Sequence, residues 1–294
     1  MSIQSVTMPR RARWLQSLRR APASFKWGGA ILAIHLIVAV VGPFVIPYGY
    51  SQMGTGIPLA GMSLEHPFGT DQLGRDILSR AVYGSHIVLT LCVSGTLLGL
   101  AVGGTVGLLC GYIGGVIDEV VQRVVEALVS IPILVLALLV IAAAGPQLSG
   151  QPAMIVGAVA FVYAPRMERV ARAAALDIVT REYISVAKLR GEGAWSVMFR
   201  EILPNASSVL LVEFALRAGY APVLVGSLGF LGFGIRPPTP EWGLMISENR
   251  NLLMMSPITV LGPGMMLATL VIGLNLFTDG IAQILGRNVQ FSTK

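Results

Sequence analysis

Long apolar runs separated by short polar stretches dominate this chain. A membrane-spanning helix needs about 20 mainly apolar residues, and six runs are long enough. The break at 144–152 carries the glycine and proline residues typical of a tight turn. The pattern predicts an all-α integral membrane protein with six spans, at about 27–47, 83–113, 120–144, 153–174, 206–230 and 255–276.

The polar stretches divide the chain around these spans. They predict a basic arm (1–26), a first transmembrane helix (27–47), an external segment (48–80), a core of five spans (81–286) and a tail (287–294). The first apolar run is longer than the core of a signal peptide and lacks a small-residue cleavage site, so we interpret it as a retained span.

Composition and charge agree with a membrane location. Only 12% of the residues are charged and mean hydropathy is +0.73, whereas soluble proteins carry roughly 25% charged residues. The net charge of +6 does not point to nucleic acid, because sixteen of the 21 Lys and Arg residues fall on one side of the six-span arrangement. Such a bias marks the cytoplasmic side and predicts that both termini are cytoplasmic.

A row of glycines follows the second span at intervals of four residues. Residues four apart share one face of a helix, and glycine allows close approach between helices in lipid. The row has two interpretations: a surface that slides or dimerises, or tight packing inside the bundle. Its members are Gly95, Gly99, Gly103, Gly107, Gly111 and Gly115.

A polar segment of 25 residues, 181–205, interrupts the apolar pattern between spans four and five. It predicts a helix to Arg190, a turn at Gly191 and Gly193, and a second helix that Pro204 ends. The second helix has an apolar stripe, and it could lie in lipid headgroups, pack under its own bundle or enter a groove on a partner. The stripe consists of Trp195, Met198, Phe199, Ile202 and Leu203.

The segment reads EY-x3-A-x3-G-x8-R-x2-LPN and resembles the loop that permeases of ATP-binding-cassette importers present to their ATPase subunits. Where the family commonly has Glu-Ala-Ala, this chain begins with Ser185, so Glu182 or Glu192 is the candidate for the acidic contact. The resemblance implies an ATPase-coupling site at Glu182, Tyr183, Ser185, Ala187, Gly191, Glu192, Trp195, Arg200 and Pro204.

Three further motifs narrow the resemblance. HPFGTDQLGRDILSRAVYG (66–84), GYIGGVID (111–118) and FLGFGIRPPTPEWGLMI (230–246) are similar to the C-type permease of dipeptide, oligopeptide and nickel importers. The family's glutamate before the third motif corresponds to Val225 here. The resemblance implies the type I importer fold with cytoplasmic coupling helices between spans four and five, and a multi-pass location in the bacterial inner membrane.

The same resemblance implies partners and a mechanism. It implies a heterodimer with a B-type permease, two ATPase subunits or one fused ATPase, an extracytoplasmic binding protein, and alternating access in the lipid bilayer. The implied cargo is a dipeptide or oligopeptide, and a nickel chelate or haem-like cargo is the alternative. A more distant alternative, an ion-coupled secondary transporter, would show an inverted repeat, and the sequence shows none.

The chain is not expected to be an enzyme. It lacks the GxxxxGK[ST] phosphate loop, so ATP and Mg are expected on separate ATPase subunits, and this chain is expected to hold no cofactor. His66 and His86 form no metal-site spacing. Cys92 and Cys110 lie 18 residues apart in one predicted helix, about 27 Å, which excludes a disulfide.

Charged residues inside or near the spans give the remaining candidates. Glu213 and Arg217 are four residues apart in span five; they could line the translocation path as a pair, form a structural ion pair with the sister permease, or lie near the cytoplasmic end of the span. Trp242 is a candidate at the outer mouth of the path, or belongs to a loop that only caps the bundle. In the external segment, pairs four residues apart predict ion pairs that staple short helices, or a docking site: Asp71 with Arg75, and Asp76 with Arg80. His35 is predicted to be buried and hydrogen-bonded.

Overall fold

The structure is a computed structural model that describes residues 21–292, with side chains to residue 284. Most of the predicted basic arm and the side chains of the predicted tail therefore lie outside the described part. Within it the helices are α1 (Ala23–Val45), α2 (Ile77–Ile113), α3 (Gly115–Ser130), α4 (Ile133–Ala143), α5 (Pro152–Val179), α6 (Glu182–Leu189), α7 (Ala194–Val197), α8 (Leu203–Phe230), α9 (Trp242–Asn249) and α10 (Ile258–Ser292).

The described helices agree with an all-α membrane protein. Four of them are long and apolar enough to cross a membrane, and the bent pair α3–α4 would make a fifth. The predicted fourth span coincides with α5, whose second half carries Arg166, Glu168 and Arg169. The six predicted spans are compatible with this arrangement if α5 is counted as a crossing.

The third span differs from the prediction of one helix over 120–144. The chain bends by 102° between α3 and α4. Ile131 and Pro132 have extended backbone angles at the bend, because a proline pushes the preceding residue out of the helical region and cannot donate to the helix ladder.

The glycine row lies between α2 and α5, which pack closely along their length. A Cβ atom on Gly95 would lie 2.8 Å from Val159 Cβ, and one on Gly111 would lie 2.6 Å from Ala175 Cβ. Of the two interpretations, tight packing inside the bundle is therefore confirmed for 95–111. Gly115 is not part of the row: it begins α3 with a positive φ of 67° and has open space around it.

Pro204 does not end the second helix of the polar segment, contrary to the prediction. The helix continues from Ala194 to Phe230. A single π-helical turn, Met198–Ile202, precedes the proline, and Leu203 N bonds to Met198 O. The wider turn accommodates a residue that has no N–H and whose ring crowds the preceding carbonyls, so the helix passes through Pro204 without a break.

Candidate functional site

The polar segment folds as two short helices joined by a glycine turn. Glu182 in the first turn of α6 and Lys188 in its last turn complement the helix dipole. Gly191 ends α6 with φ 76°, in the left-handed region where glycine carries no steric penalty. Gly191 N donates to Lys188 O at 2.9 Å and Glu192 N donates to Ala187 O at 3.2 Å, the bonding pattern of a glycine-terminated helix.

One face of this segment is buried against the bundle. Ile184 and Ala187 of α6 pack with Val197, Met198 and Ile202 on the ends of α2 and α5. The Lys188 ammonium lies 4.8 Å from the centre of the Tyr112 ring, which adds a cation–π contact to the end of α2. The segment is therefore held by its own subunit along one side only.

The other face is exposed and carries apolar side chains among polar ones such as Glu182 and Ser185. On α6, Tyr183, Val186 and Leu189 point outward at intervals of three residues, and Leu189 is 88% exposed. On the second helix, Trp195 is 58% exposed and its ring stacks on Phe199, with centroids 5.9 Å apart. The predicted stripe is thus divided: Met198 and Ile202 are buried, whereas Trp195 and Phe199 are exposed.

The nine predicted coupling residues differ in how far they are exposed. Ala187 is fully buried against the bundle, so its side chain cannot contact a partner as the resemblance implied. Glu192 is half-buried, pairs with Arg190 Nη2 at 2.8 Å and accepts from Ser196 Oγ at 3.1 Å. The remaining seven are exposed: Glu182, Tyr183, Ser185, Gly191, Trp195, Arg200 and Pro204.

Glu213 and Arg217 form an ion pair inside α8, with Nε and Oε1 2.5 Å apart. Glu213 is buried, and Arg217 is partly exposed to a groove of about 660 Å³ between α5 and α8. The same groove is lined by Arg166 and Arg169 from α5. The sequence pattern found the pair but not its two basic neighbours, which come from another helix.

A network of charged side chains occupies the opposite end of α2. Asp71 and Arg75 pair at 2.6 Å, as predicted, but within a turn and not on a helix: Asp71 Oδ1 also accepts from the backbone N–H groups of Leu73 and Arg75. Arg80 pairs with Glu248 at the end of α9, at 3.0 Å, and Arg75 approaches the same carboxylate at 3.3 Å. We call Asp71, Arg75, Arg80 and Glu248 the charge network.

The predicted pair between Asp76 and Arg80 is wrong. Asp76 caps the N-terminus of α2 by accepting from Ser79 N at 2.7 Å, and its other oxygen lies 2.9 Å from His66 Nδ1. Asp76 is the residue that starts the helix, so its side chain turns back to the helix terminus and not along the next turn toward Arg80. Within the described residues, no three His, Cys, Asp or Glu side chains are grouped as a metal site would require.

Trp242 is fully buried, in contrast to its predicted position at the mouth of a path. Its indole Nε1 donates to Ala81 O at 2.9 Å, and its ring lies against His35. His35 itself is buried and lies 3.0 Å from the Thr269 hydroxyl, which confirms the prediction for that residue. Trp242 thus joins α9 to α2 in the protein interior.

Glu241 is a buried carboxylate that the sequence pattern did not single out. It caps α9 by accepting from the N–H groups of Gly243 and Leu244, at 2.8 and 2.9 Å. Burial raises its pKa to about 7, although the two hydrogen bonds lower it. A signal was available: Glu241 precedes an apolar helix start, and acidic residues are favoured at that position.

The described helices form an apolar bundle with a helix–glycine–helix segment at one end, as expected of an integral membrane protein. Comparison with known proteins names the family. Residues 103–291 match the binding-protein-dependent transport system inner membrane component, and this chain belongs to that family. It is therefore a multi-pass membrane component of a transport system.

Named relatives extend over most of the chain. The dipeptide transport system permease protein DppC of Alkalihalophilus pseudofirmus is 35% identical over 88% of this chain and 84% of its own length. DppC of Escherichia coli strain K12 is 36% identical over 88% and 87%. The glutathione transport system permease protein GsiD of Pectobacterium atrosepticum is 33% identical over 96% and 92%.

Proposed function

We propose that this chain is the C-type permease subunit of an ATP-driven peptide importer in a bacterial inner membrane, with both termini cytoplasmic. It pairs with a homologous B-type permease to enclose the translocation path. Two ATPase subunits, or one fused ATPase, bind ATP and Mg, and an extracytoplasmic binding protein delivers the peptide. Relatives named for dipeptide and glutathione transport support peptide cargo over a nickel chelate or haem.

The exposed apolar face of α6 is the observation that carries the proposal. Tyr183, Val186 and Leu189 are exposed together on a helix of eight residues. A clustered apolar patch of this kind marks a surface that a partner covers. An amphipathic helix of this kind inserts into a hydrophobic groove with contacts at intervals of three and four residues. The buried opposite face transfers any displacement of α6 to the ends of α2 and α5.

The glycine turn adds the required geometry. It joins α6 to the helix that continues as α8, so a motion of the ATPase at α6 reaches the helix that carries Glu213 and Arg217. Trp195 and Phe199 lie beside the turn and extend the exposed surface. In this mechanism ATP binding tilts α5 and α8 and opens the path outward, and hydrolysis returns them.

Reconstitution tests the proposal. The chain is purified with its neighbouring permease, ATPase and binding-protein gene products and placed in proteoliposomes. We expect uptake of labelled di- and tripeptides that requires ATP and the binding protein. A complex whose ATPase has an inactivated ATP site is the control. Uptake by this chain alone on an ion gradient, or ATP-driven uptake of nickel chelate or haem but no peptide, would contradict the proposal.

A further inference from the structure

The groove between α5 and α8 gathers positive charge at an unusual depth. Arg166 is the fifteenth residue of the 28 in α5, and Arg217 is the fifteenth of the 28 in α8. At 1.5 Å per residue Arg166 is anchored about 20 Å from Pro152 and Arg217 about 20 Å from Phe230, the helix ends opposite the polar segment. The hydrocarbon core is about 30 Å thick, so both arginines belong within it, although the count of Lys and Arg residues in the sequence grouped Arg166 with the cytoplasmic side.

The positive charges of the two arginines are not equally neutralised by acidic partners. Arg217 is paired with Glu213 at 2.5 Å. Arg166 donates to the carbonyl of Val162 at 3.0 Å, and within the described part of the chain it forms no ion pair. It also lies close enough to Arg217 for the two positive charges to repel each other. Arg169, one turn further along the same groove, is exposed and likewise forms no ion pair among the described side chains.

Arginines nearer the end of α5 show how this chain compensates charge elsewhere. Arg172 binds the Asp118 carboxylate with two hydrogen bonds of 2.6 Å. Arg181 pairs with Asp177 at 3.1 Å. Asp177 lines the far end of the same groove, so the excess positive charge is at the end formed by Arg166 and Arg217. An uncompensated charge inside the membrane is costly and normally faces a water-filled path.

We propose that Arg166, supported by the Arg217–Glu213 pair, binds the terminal carboxylate of the peptide as it passes through the membrane. The inference rests on the proposed function and adds the chemical group that the path recognises. A guanidinium group binds a carboxylate with paired, charge-assisted hydrogen bonds, and a free peptide always carries this carboxylate. Lipid phosphates lie at the headgroup level, about 15 Å from the midplane, too far to serve as the anion.

The test compares peptides that differ only in this group. Purified complex in proteoliposomes receives di- and tripeptides as free acids and as C-terminal amides, chosen so that the purified binding protein retains both forms. The initial uptake rates give an acid-to-amide ratio. Because wild type and variants share one binding protein, its own preference cancels when their ratios are compared.

We expect Arg166→Gln to lower the acid-to-amide ratio about tenfold, which corresponds to one charge-assisted hydrogen bond, and Arg166→Lys to keep most of it. Arg123→Gln is the matched control, since Arg123 lies on the surface of α3, and it should leave the ratio unchanged. The amount of assembled complex should stay at the wild-type level in all three variants.

Other outcomes overturn the inference and are distinguishable from failure of the proposed function. If Arg166→Gln slows both peptide forms equally, or prevents assembly while Arg166→Lys restores it, Arg166 pairs with a carboxylate of the sister permease instead. An unchanged ratio with normal uptake excludes any role in recognising the carboxylate. In each case the wild-type importer still takes up peptide. Only a wild-type complex that imports no peptide in either form refutes the proposed function.

Discussion

The two ends of the bundle are built in opposite ways. At the end that carries α9, charged side chains are buried and joined over long distances in sequence, as when Arg80 meets Glu248 at 3.0 Å. At the end that carries the polar segment 181–205, Arg172 and Asp118 also meet across 54 residues, but the segment itself forms pairs close in sequence, such as Arg190 with Glu192, and leaves apolar side chains such as Leu189 exposed. Both ends leave some apolar side chains exposed, Leu64 at the first and Leu189 at the second, but only the first joins its buried charged groups into a network across distant segments.

This difference separates two requirements of a transport subunit. The charge network fixes the segment before α2 to α9 without help from another chain, so that end should behave as a rigid unit. The polar segment 181–205 is fixed on one side by Ile184 and Met198, and on the other side we propose that the ATPase covers it. Both ends are attached to α2, so a change in the middle of that helix should affect them together, and a change at one end should not.

The largest effect on assembly is expected at the contact of α2 with α5, because both ends of the bundle depend on it. In Gly103→Leu the new side chain would overlap the backbone carbonyl of Ala164 on α5. Backbone cannot move aside as a flexible side chain can, so α2 and α5 should separate and less than about a tenth of the wild-type complex should assemble. Gel filtration of the purified complex measures this.

The matched control for that variant is Gly157→Leu, at a position on α5 where a Cβ atom has open space around it. It should assemble normally. Normal assembly of Gly103→Leu would mean that the close packing of α2 on α5 does not hold the two ends together.

The next largest effect should be confined to the charge network. Arg80→Gln removes a buried charge and leaves the Glu248 carboxylate with its weaker partner Arg75, which should cost about 3 kcal/mol of stability. We expect a clearly lower thermal unfolding temperature in detergent, while binding of the ATPase to the remaining folded protein is unchanged.

Arg123→Gln provides the comparison, because Arg123 is 85% exposed and pairs only with Glu126 at 3.4 Å. Exposed pairs contribute between 0 and about 1 kcal/mol, so its unfolding temperature should match wild type. If Arg80→Gln unfolds at the wild-type temperature as well, the charge network does not make that end rigid.

A smaller change in stability, with a large change in function, is expected at the glycine turn. Gly191 has φ 76° and proline requires a φ near −65°, so Gly191→Pro should displace α6 from the bundle. We expect an assembled complex in which ATP is hydrolysed without peptide uptake. Parallel assays of hydrolysis and uptake measure the loss of coupling.

Gly193→Pro tests whether any proline has this effect. Gly193 already has φ −67° and open space around it, so coupling should be largely kept. Normal uptake by Gly191→Pro would show that the position of α6 does not transmit the motion.

The smallest effect on stability should come from Leu189→Ser, since this side chain is already in water. The free complex should unfold at the wild-type temperature, yet the ATPase should bind about tenfold more weakly because a buried leucine contact is lost. Leu64→Ser is the control: Leu64 is fully exposed at the opposite end and should not change ATPase affinity. Equal affinities for both variants would remove Leu189 from the proposed ATPase contact.

Local patterns made part of this architecture predictable from sequence. Runs of apolar residues located the spans, and glycines four apart lay on one face of α2 as expected from helix geometry. The helix–glycine–helix form of 181–205 and the ion pair of Glu213 with Arg217 also followed from spacing. Each of these features depends on residues within a few positions of one another, which is the range that helical periodicity describes.

Predictions from residue spacing were wrong where other groups bound the same side chain or where a local change in helix geometry intervened. Asp76 sits four residues before Arg80, yet the helix terminus and His66 take its carboxylate. Pro204 was expected to end a helix, but one π-helical turn allowed the helix to continue. The proline at 132 has no such turn before it and bends the chain by 102°.

The sequence by itself determined a polytopic helical membrane protein and the helix–glycine–helix form of its polar segment, because burial in lipid and helix periodicity act through neighbouring residues. Only the tertiary structure decided that Trp242 is buried beside Ala81, that Glu248 receives Arg80, and that Arg166 faces Arg217 across a groove. These partners lie on different helices, and which helices meet is settled by packing of the whole bundle, so no local pattern specifies them.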